Sequence, residues 1–263
     1  MRLSALYRYA VKSAQAEPLQ ASPVGALGLL GDRRWMLVDE ASGRFLTQRT
    51  LPILGSLVAR YRDDGGLDLN APGQAPLTVP LPEPDGNLRG VVIWKDALRV
   101  PDAGDAAAHW VSELIGQSAR LVQVPAHRAR QVGDGHDRVA FADGFPLLLI
   151  NQASVDDLST RVGRNMAMLR FRPNLVIEGA PAYADDGWKR LRIGNVDFRI
   201  ASPCARCILT TIDPRTHQRE SDREPLNTLK GYRMGEGGIM FGQNLIAEGE
   251  GLLEVGMEVT VLE

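Results

Sequence analysis

Leu191-Arg192-Ile193-Gly194-Asn195-Val196-Asp197-Phe198-Arg199-Ile200 holds two short apolar-alternating runs around Gly194-Asn195. A period of two marks a strand with one buried face. A two-residue connection of glycine and asparagine marks a tight hairpin turn. The stretch reads as a β-hairpin, and similar patterns lie on both sides of it. Toward the carboxyl end, Leu252-Leu253-Glu254-Val255 and Glu258-Val259-Thr260-Val261-Leu262 flank Gly256-Met257, which predicts a terminal hairpin. Toward the amino end, Leu57-Val58-Ala59-Arg60-Tyr61 and Leu67-Asp68-Leu69 flank Asp63-Asp64-Gly65-Gly66. Arg34–Val38 and Arg44–Gln48 flank Glu40–Gly43 in the same way. Leu77–Val79 and Val91–Trp94 supply further strands, and the five prolines between Ala71 and Asn87 suit an edge segment. The 27 glycines and 16 prolines exceed the roughly 32 that average usage would give, as many turns between short strands require.

Two helices interrupt the strands. Asp105 is the expected cap of one, with Trp110, Val111, Leu114 and Ile115 on its apolar face and Gly116 as its stop. Ser154 is the expected cap of the other, with Leu158 and Val162 inward and Gly163 after it. A helix starting near Ser154 would aim backbone N–H groups at an anion. A strand-to-helix step at Val100-Pro101-Asp102 places a domain boundary near residue 100. The chain is expected to be mostly β, with barrel-like domains and a few short helices.

Composition excludes several function classes. The net charge of −2 over 263 residues argues against a general nucleic-acid binder, which needs a basic surface. No apolar run approaches a membrane span; Phe145–Ile150 is the longest. Met1–Val11 lacks the continuous apolar core of a secretory signal. It is basic, and no acidic residue occurs before Glu17, as in a mitochondrial presequence, but Leu6–Val11 also reads as a strand. With only two cysteines, Cys204 and Cys207, neither a disulfide framework nor an unaided iron–sulfur cluster is expected. A cytoplasmic location is expected.

The two cysteines sit in Ser202-Pro203-Cys204-Ala205-Arg206-Cys207-Ile208-Leu209-Thr210-Thr211-Ile212-Asp213-Pro214. Four readings stand open on spacing alone. The pair could be small buried residues in a strand. It could be a redox pair, although the βαβ context is missing. It could bind zinc, but His217 is the nearest further ligand, and His109, His127 and His136 are dispersed. Lastly, one thiolate could bind a redox metal held mainly by an organic cofactor, with Arg206 lowering a thiol pKa or binding an anion. Elsewhere, Lys12-Ser13 and Asp32-Arg33-Arg34 put cations and a hydroxyl at strand ends, a set able to wrap a phosphate. In Phe171-Arg172-Pro173-Asn174 the proline stiffens the backbone between a cation and an amide.

Taken in order, these pieces resemble the MOSC family with its N-terminal β-barrel domain. The resemblance runs through Leu6–Ser13, Gly31–Val38, Phe45–Arg49, Phe171–Asn174, Cys204–Pro214, Glu224–Lys230 and Phe241–Asn244. It implies an N-terminal β-barrel domain over 1–100 and a MOSC domain over 101–263. It also implies molybdenum cofactor (molybdopterin), with the metal bound by Cys207, the second cysteine of the motif. Lys12, Ser13 and Arg33 would hold the cofactor phosphate. Arg172 and Asn174 would contact the pterin, with Arg206 beside the ligand. A cofactor loop, Asp143-Gly144-Phe145-Pro146, completes the set, although relatives often carry hydroxyl residues where Gly144 and Phe145 stand.

The activity implied is an oxidoreductase that removes oxygen from N-hydroxylated small molecules such as amidoximes, with Cys207 at the catalytic metal. Electrons would come from a separate flavoprotein, ferredoxin or cytochrome, because the chain has no cysteines to spare for an iron–sulfur cluster. No nucleic acid and no membrane is expected as partner. Two other roles fit the same resemblance: a cofactor or sulfur carrier of the cofactor-sulfurase type, and a metal-free binding protein.

Overall fold

The computed structural model describes residues 1–133, 135 and 137–263; His136, one of the dispersed histidines, lies outside them. The fold is mostly β, as expected. The chain divides into two compact units, each discontinuous in sequence. The smaller takes Arg8–Glu17 and Gly31–Asp143; the larger takes Met1–Tyr7, Pro18–Leu30 and Gly144–Glu263. This partition by contacts differs in kind from a single cut along the sequence.

The smaller unit is built from short antiparallel ladders. Val58–Tyr61, Leu67–Asn70 and Leu77–Val79 form a three-stranded sheet, with the proline-flanked strand at its edge. Leu88–Ile93 pairs with Asp96–Pro101. Trp35–Asp39 pairs along its length with Ala119–Gln123. The expected hairpin partner, Arg44–Gln48, meets that strand only at the single bridge Val38 to Phe45. Val38 pairs with Arg120 on one edge and with Phe45 on the other, and the Arg44–Phe45 segment also bonds Val92, with Phe45 N–H donating to Val92 O at 3.0 Å. Helix α1 (Asp105–Ile115) ends on left-handed Gly116, as expected. Its cap is Gly104 rather than Asp105, and the Asp102 carboxylate accepts the Gly104 N–H at 2.8 Å. Asp105 is spent instead on Arg120, at 2.8 Å. Trp35, Leu37, Leu54, Leu67, Trp110 and Leu121 centre the core.

The larger unit carries a nine-stranded sheet. Its main path runs from Glu17–Leu19 through Arg2–Arg8, Leu175–Glu178, Leu147–Asn151, Gly238–Ala247, Val196–Ala205 and Arg190–Ile193 to Val259–Val261. The hairpin around Gly194-Asn195 forms in the expected register, Ile193 opposite Val196. The terminal hairpin does not form. Gly251–Glu254 pairs with Ala21–Gly25, while Val259–Val261 pairs with Arg190–Ile193. Gly256-Met257 therefore hands the chain from one sheet to another. Helix α2 (Gln152–Val162) ends on left-handed Gly163 and is capped by Asn151, whose side chain accepts the Ala153 N–H at 3.2 Å. Ser154 lies inside the helix and its hydroxyl accepts the Tyr183 N–H at 2.8 Å, so the expected helix start at Ser154 is corrected, and with it the expected anion site. Helix α3 (Leu226–Lys230) is short. No helix among the described residues is long and apolar enough to cross a membrane.

Candidate cofactor-binding residues

In the smaller unit, Lys12, Arg33 and Asp143 come together, with Ser13 next to Lys12 in the chain, and the structure adds Arg49. Lys12 and Ser13 follow the strand Arg2–Arg8 after a short extension whose backbone is fixed by Lys12 N–H to Trp35 O at 2.8 Å. Ser13 and Arg33 both adopt left-handed backbone, φ 69° and 48°. Such angles are uncommon outside glycine and mark positions where the fold dictates the side-chain direction. Lys12 is buried. Its ammonium donates to Phe141 O at 2.7 Å and to the Asp143 carboxylate. Arg49 donates to the other Asp143 oxygen at 2.7 Å. Arg33 donates to buried Asp32 at 2.5 Å and lies over the Tyr9 ring.

The charges set the protonation. Burial pulls the Lys12 ammonium down to about 8, against the opposing pull of Asp143; Arg33 and Arg49 lower it further. Desolvation would raise the Asp143 carboxyl, but Lys12 and Arg49 outweigh it and hold the group below the usual carboxylate range. Desolvation also works against the Arg33 guanidinium, yet Asp32 keeps it raised. Three cations, Lys12, Arg33 and Arg49, thus face two carboxylates, Asp32 and Asp143. The surplus is positive and partly desolvated, the chemistry of a site for an anion. Arg49 was missed by residue-level reading. Its only signal was its place at the end of Phe45–Arg49.

The larger unit holds the other expected residues. Cys204 lies in the last turn-ward residues of the strand Val196–Ala205, and Cys207 starts the 3-10 turn Ile208–Thr211. Cys207 is exposed and Cys204 half-buried, so neither is the small buried residue of the first reading. Arg206 lies between them. Its Nη1 is 2.9 Å from Cys204 Sγ, its Nη2 donates to Phe171 O at 2.7 Å, and its buried Nε has no hydrogen-bond partner. Arg172 has left-handed backbone, φ 54°, directly after the turn Met168–Phe171.

Asn174 is almost wholly buried. Its side-chain oxygen accepts the Leu148 N–H at 3.2 Å and its amide donates to Tyr7 O at 3.1 Å. Its backbone bonds the same two neighbours. This amide therefore joins two strands of the sheet, whatever else it contacts. Among the described residues, no group of three or more His, Cys, Asp or Glu side chains gathers as a metal site.

Comparison with known proteins adds identity to this geometry. The model of the MOSC N-terminal beta barrel domain matches residues 1–118, and that of the MOSC domain matches 136–260. Mitochondrial amidoxime-reducing component 1 of Homo sapiens is 34% identical, over 98% of this chain and 82% of that protein. Its Mus musculus counterpart is 35% identical, over 98% and 81%. Mitochondrial amidoxime reducing component 2 of Bos taurus is 35% identical, over 88% and 72%.

Proposed function

The chain belongs to the MOSC family, and from that membership we propose that it binds molybdenum cofactor and reduces N-hydroxylated compounds such as amidoximes. The observation that carries the reading is Cys207: an exposed thiol at the start of a fixed turn, in a chain about one-third identical to amidoxime-reducing components. One protein thiolate suits a soft or high-valent metal whose other ligands come with an organic cofactor. The surplus of cations around Lys12 suits that cofactor's phosphate.

When bound, the molybdenum centre would supply the two-electron removal of oxygen; the protein supplies binding, orientation and electrostatics. Cys207 would hold the metal. Lys12, Arg33 and Arg49 would neutralise the phosphate, with Ser13 as hydroxyl donor and Asp143 holding Lys12 and Arg49 in place. Arg172 and Arg206 would offer charged donors to the pterin. Electrons would arrive from a separate donor protein.

The test is metal analysis coupled to turnover. Protein expressed in a host that makes the cofactor should carry about one molybdenum per chain and reduce benzamidoxime with an artificial electron donor. Fully loaded but inactive protein would replace this reading with a cofactor or sulfur carrier. Protein that never takes up molybdenum would leave a metal-free binding protein.

A further inference from the structure

Arg170 is the last residue but one of the turn Met168–Phe171, immediately before Arg172-Pro173-Asn174. Its side chain is 3% exposed. Nη2 donates to Glu220 Oε1 at 2.6 Å and to Asp213 Oδ2 at 3.1 Å, and Nη1 lies 3.5 Å from Thr210 O. All three partners belong to the segment that follows Cys207.

That segment is a closed loop. Glu220 N–H donates to Thr211 O at 2.8 Å and Asp213 N–H to Gln218 O at 2.9 Å, and Ile212 bridges Arg219. From Asp213 to Glu224 no residue is buried, so apolar packing does not anchor it. At its near end, the Thr210 N–H and hydroxyl both donate to Cys207 O, at 3.1 and 3.0 Å. A short chain of bonds therefore leads from Arg170 through the loop to the Cys207 backbone. Arg206 ties the same two segments from the other side through Phe171 O, at 2.7 Å.

We propose that Arg170 is a positioning residue for Cys207: by clasping Asp213 and Glu220 it fixes the loop whose first turn sets the direction of the thiol. This rests on the reading of Cys207 as the metal-binding residue. A buried guanidinium shared by two carboxylates suits the task. Losing it removes the buried cation that the two partly exposed carboxylates share and leaves Glu220 with the longer contact to Arg164, at 3.6 Å. Both carboxylates are bound by Nη2 alone, so lysine keeps the charge but loses the second nitrogen, which lies 3.5 Å from Thr210 O, and the rigid guanidinium plane.

The experiment compares Arg170→Met, Arg170→Lys and Glu220→Gln with Arg164→Met. Arg164 is the exposed arginine that pairs with Asp222 at 2.6 Å and with the far oxygen of Glu220 at 3.6 Å. Amide hydrogen exchange on cofactor-free protein is expected to be at least tenfold faster over 208–220 in Arg170→Met and Glu220→Gln. Arg170→Lys should fall between, Arg164→Met should match wild type, and the strand Leu147–Asn151 should stay protected in all. In loaded protein, the Mo(V) electron paramagnetic resonance spectrum should shift in Arg170→Met and not in Arg164→Met. Unchanged protection over 208–220 in folded Arg170→Met, or in Glu220→Gln should the first variant not fold, overturns the proposal. So does equal acceleration in Arg164→Met, or an unshifted Mo(V) spectrum despite a loosened loop. A chain that takes up no molybdenum overturns the functional reading instead, and the exchange measurement still decides whether Arg170 fixes the loop.

Discussion

The guanidinium of Arg206 reaches the thiol of Cys204, 2.9 Å from Nη1 to Sγ. The half-buried cysteine thus has a charged neighbour of its own, while Cys207 is exposed at the start of its turn. The two sulfurs sit in different settings, three residues apart, and unequal roles follow. Cys207→Ser is expected to abolish molybdenum retention and amidoxime reduction. Cys204→Ser should keep molybdenum near one per chain and reduce turnover by less than about tenfold, roughly 1.4 kcal/mol of barrier. Metal content and benzamidoxime turnover, measured on both variants, check this. Equal loss from the two would remove Cys207 as the distinct ligand.

Anion binding in the smaller unit should depend on pH through Lys12. Its ammonium titrates at about 8, so between pH 7 and 9 the free site loses one of its three cations. Phosphate or pyrophosphate binding to cofactor-free protein, followed by calorimetry, should weaken as pH rises through that range. Binding at pH 9 should take up a proton. The stability consequence has the same origin. Burial lowers the folded-state value below the ordinary 10.5, so above about pH 8 the unfolded chain binds more protons there. The Lys12 contribution therefore raises stability as pH rises from about 8 toward 10. Lys12→Met should flatten the binding profile; an unchanged slope would assign it to another group.

Much of the β architecture was legible because hairpins are local. Leu191–Ile200 carries both its strands and its turn within ten residues, and it folds as read. The carboxyl end looks the same locally, yet its two strands go to Ala21–Gly25 and Arg190–Ile193. Those partners are far away in sequence, and no local pattern encodes which apolar edge a strand will meet. Ser154 shows a similar limit. It is a good cap by type, but Asn151, at the end of an apolar run, takes the position and leaves Ser154 to hold Tyr183. Arg49 and Arg170 escaped because their roles depend on partners 94 and 43 to 50 residues away. The cysteine motif was legible only as part of an ordered series of motifs, since the spacing of Cys204 and Cys207 alone left four chemistries open.

Asn174 should matter before any cofactor binds. Its amide bonds Leu148 N and Tyr7 O inside the sheet. Asn174→Ala takes this partner from the buried Leu148 N–H and the half-buried Tyr7 O, at a cost of about 1 to 3 kcal/mol. Urea unfolding of cofactor-free protein measures it. A loss below about 0.5 kcal/mol, with impaired cofactor retention, would make the residue a ligand contact rather than a strand clamp.

Gly242 tests the strand that lies beside the cysteine-bearing one. It sits within Gly238–Ala247, which pairs with Val196–Ala205 on one side and Leu147–Asn151 on the other. Its φ is +80°, and a Cβ there would lie 2.2 Å from Ile150 Cδ1 and 2.7 Å from Leu149 O. The first contact can be eased by a rotamer change, but the second is backbone in a paired strand and cannot move alone. Left-handed strain and the carbonyl clash add, so Gly242→Ala should cost roughly 3 kcal/mol. Chemical denaturation gives the number directly. Because Gln243 and Met240 on this strand face Pro203 and Ala205, the variant should also speed amide exchange at 204–207. A variant as stable as wild type, with unchanged exchange there, would mean that the strand shifts to admit the methyl group without disturbing its neighbour.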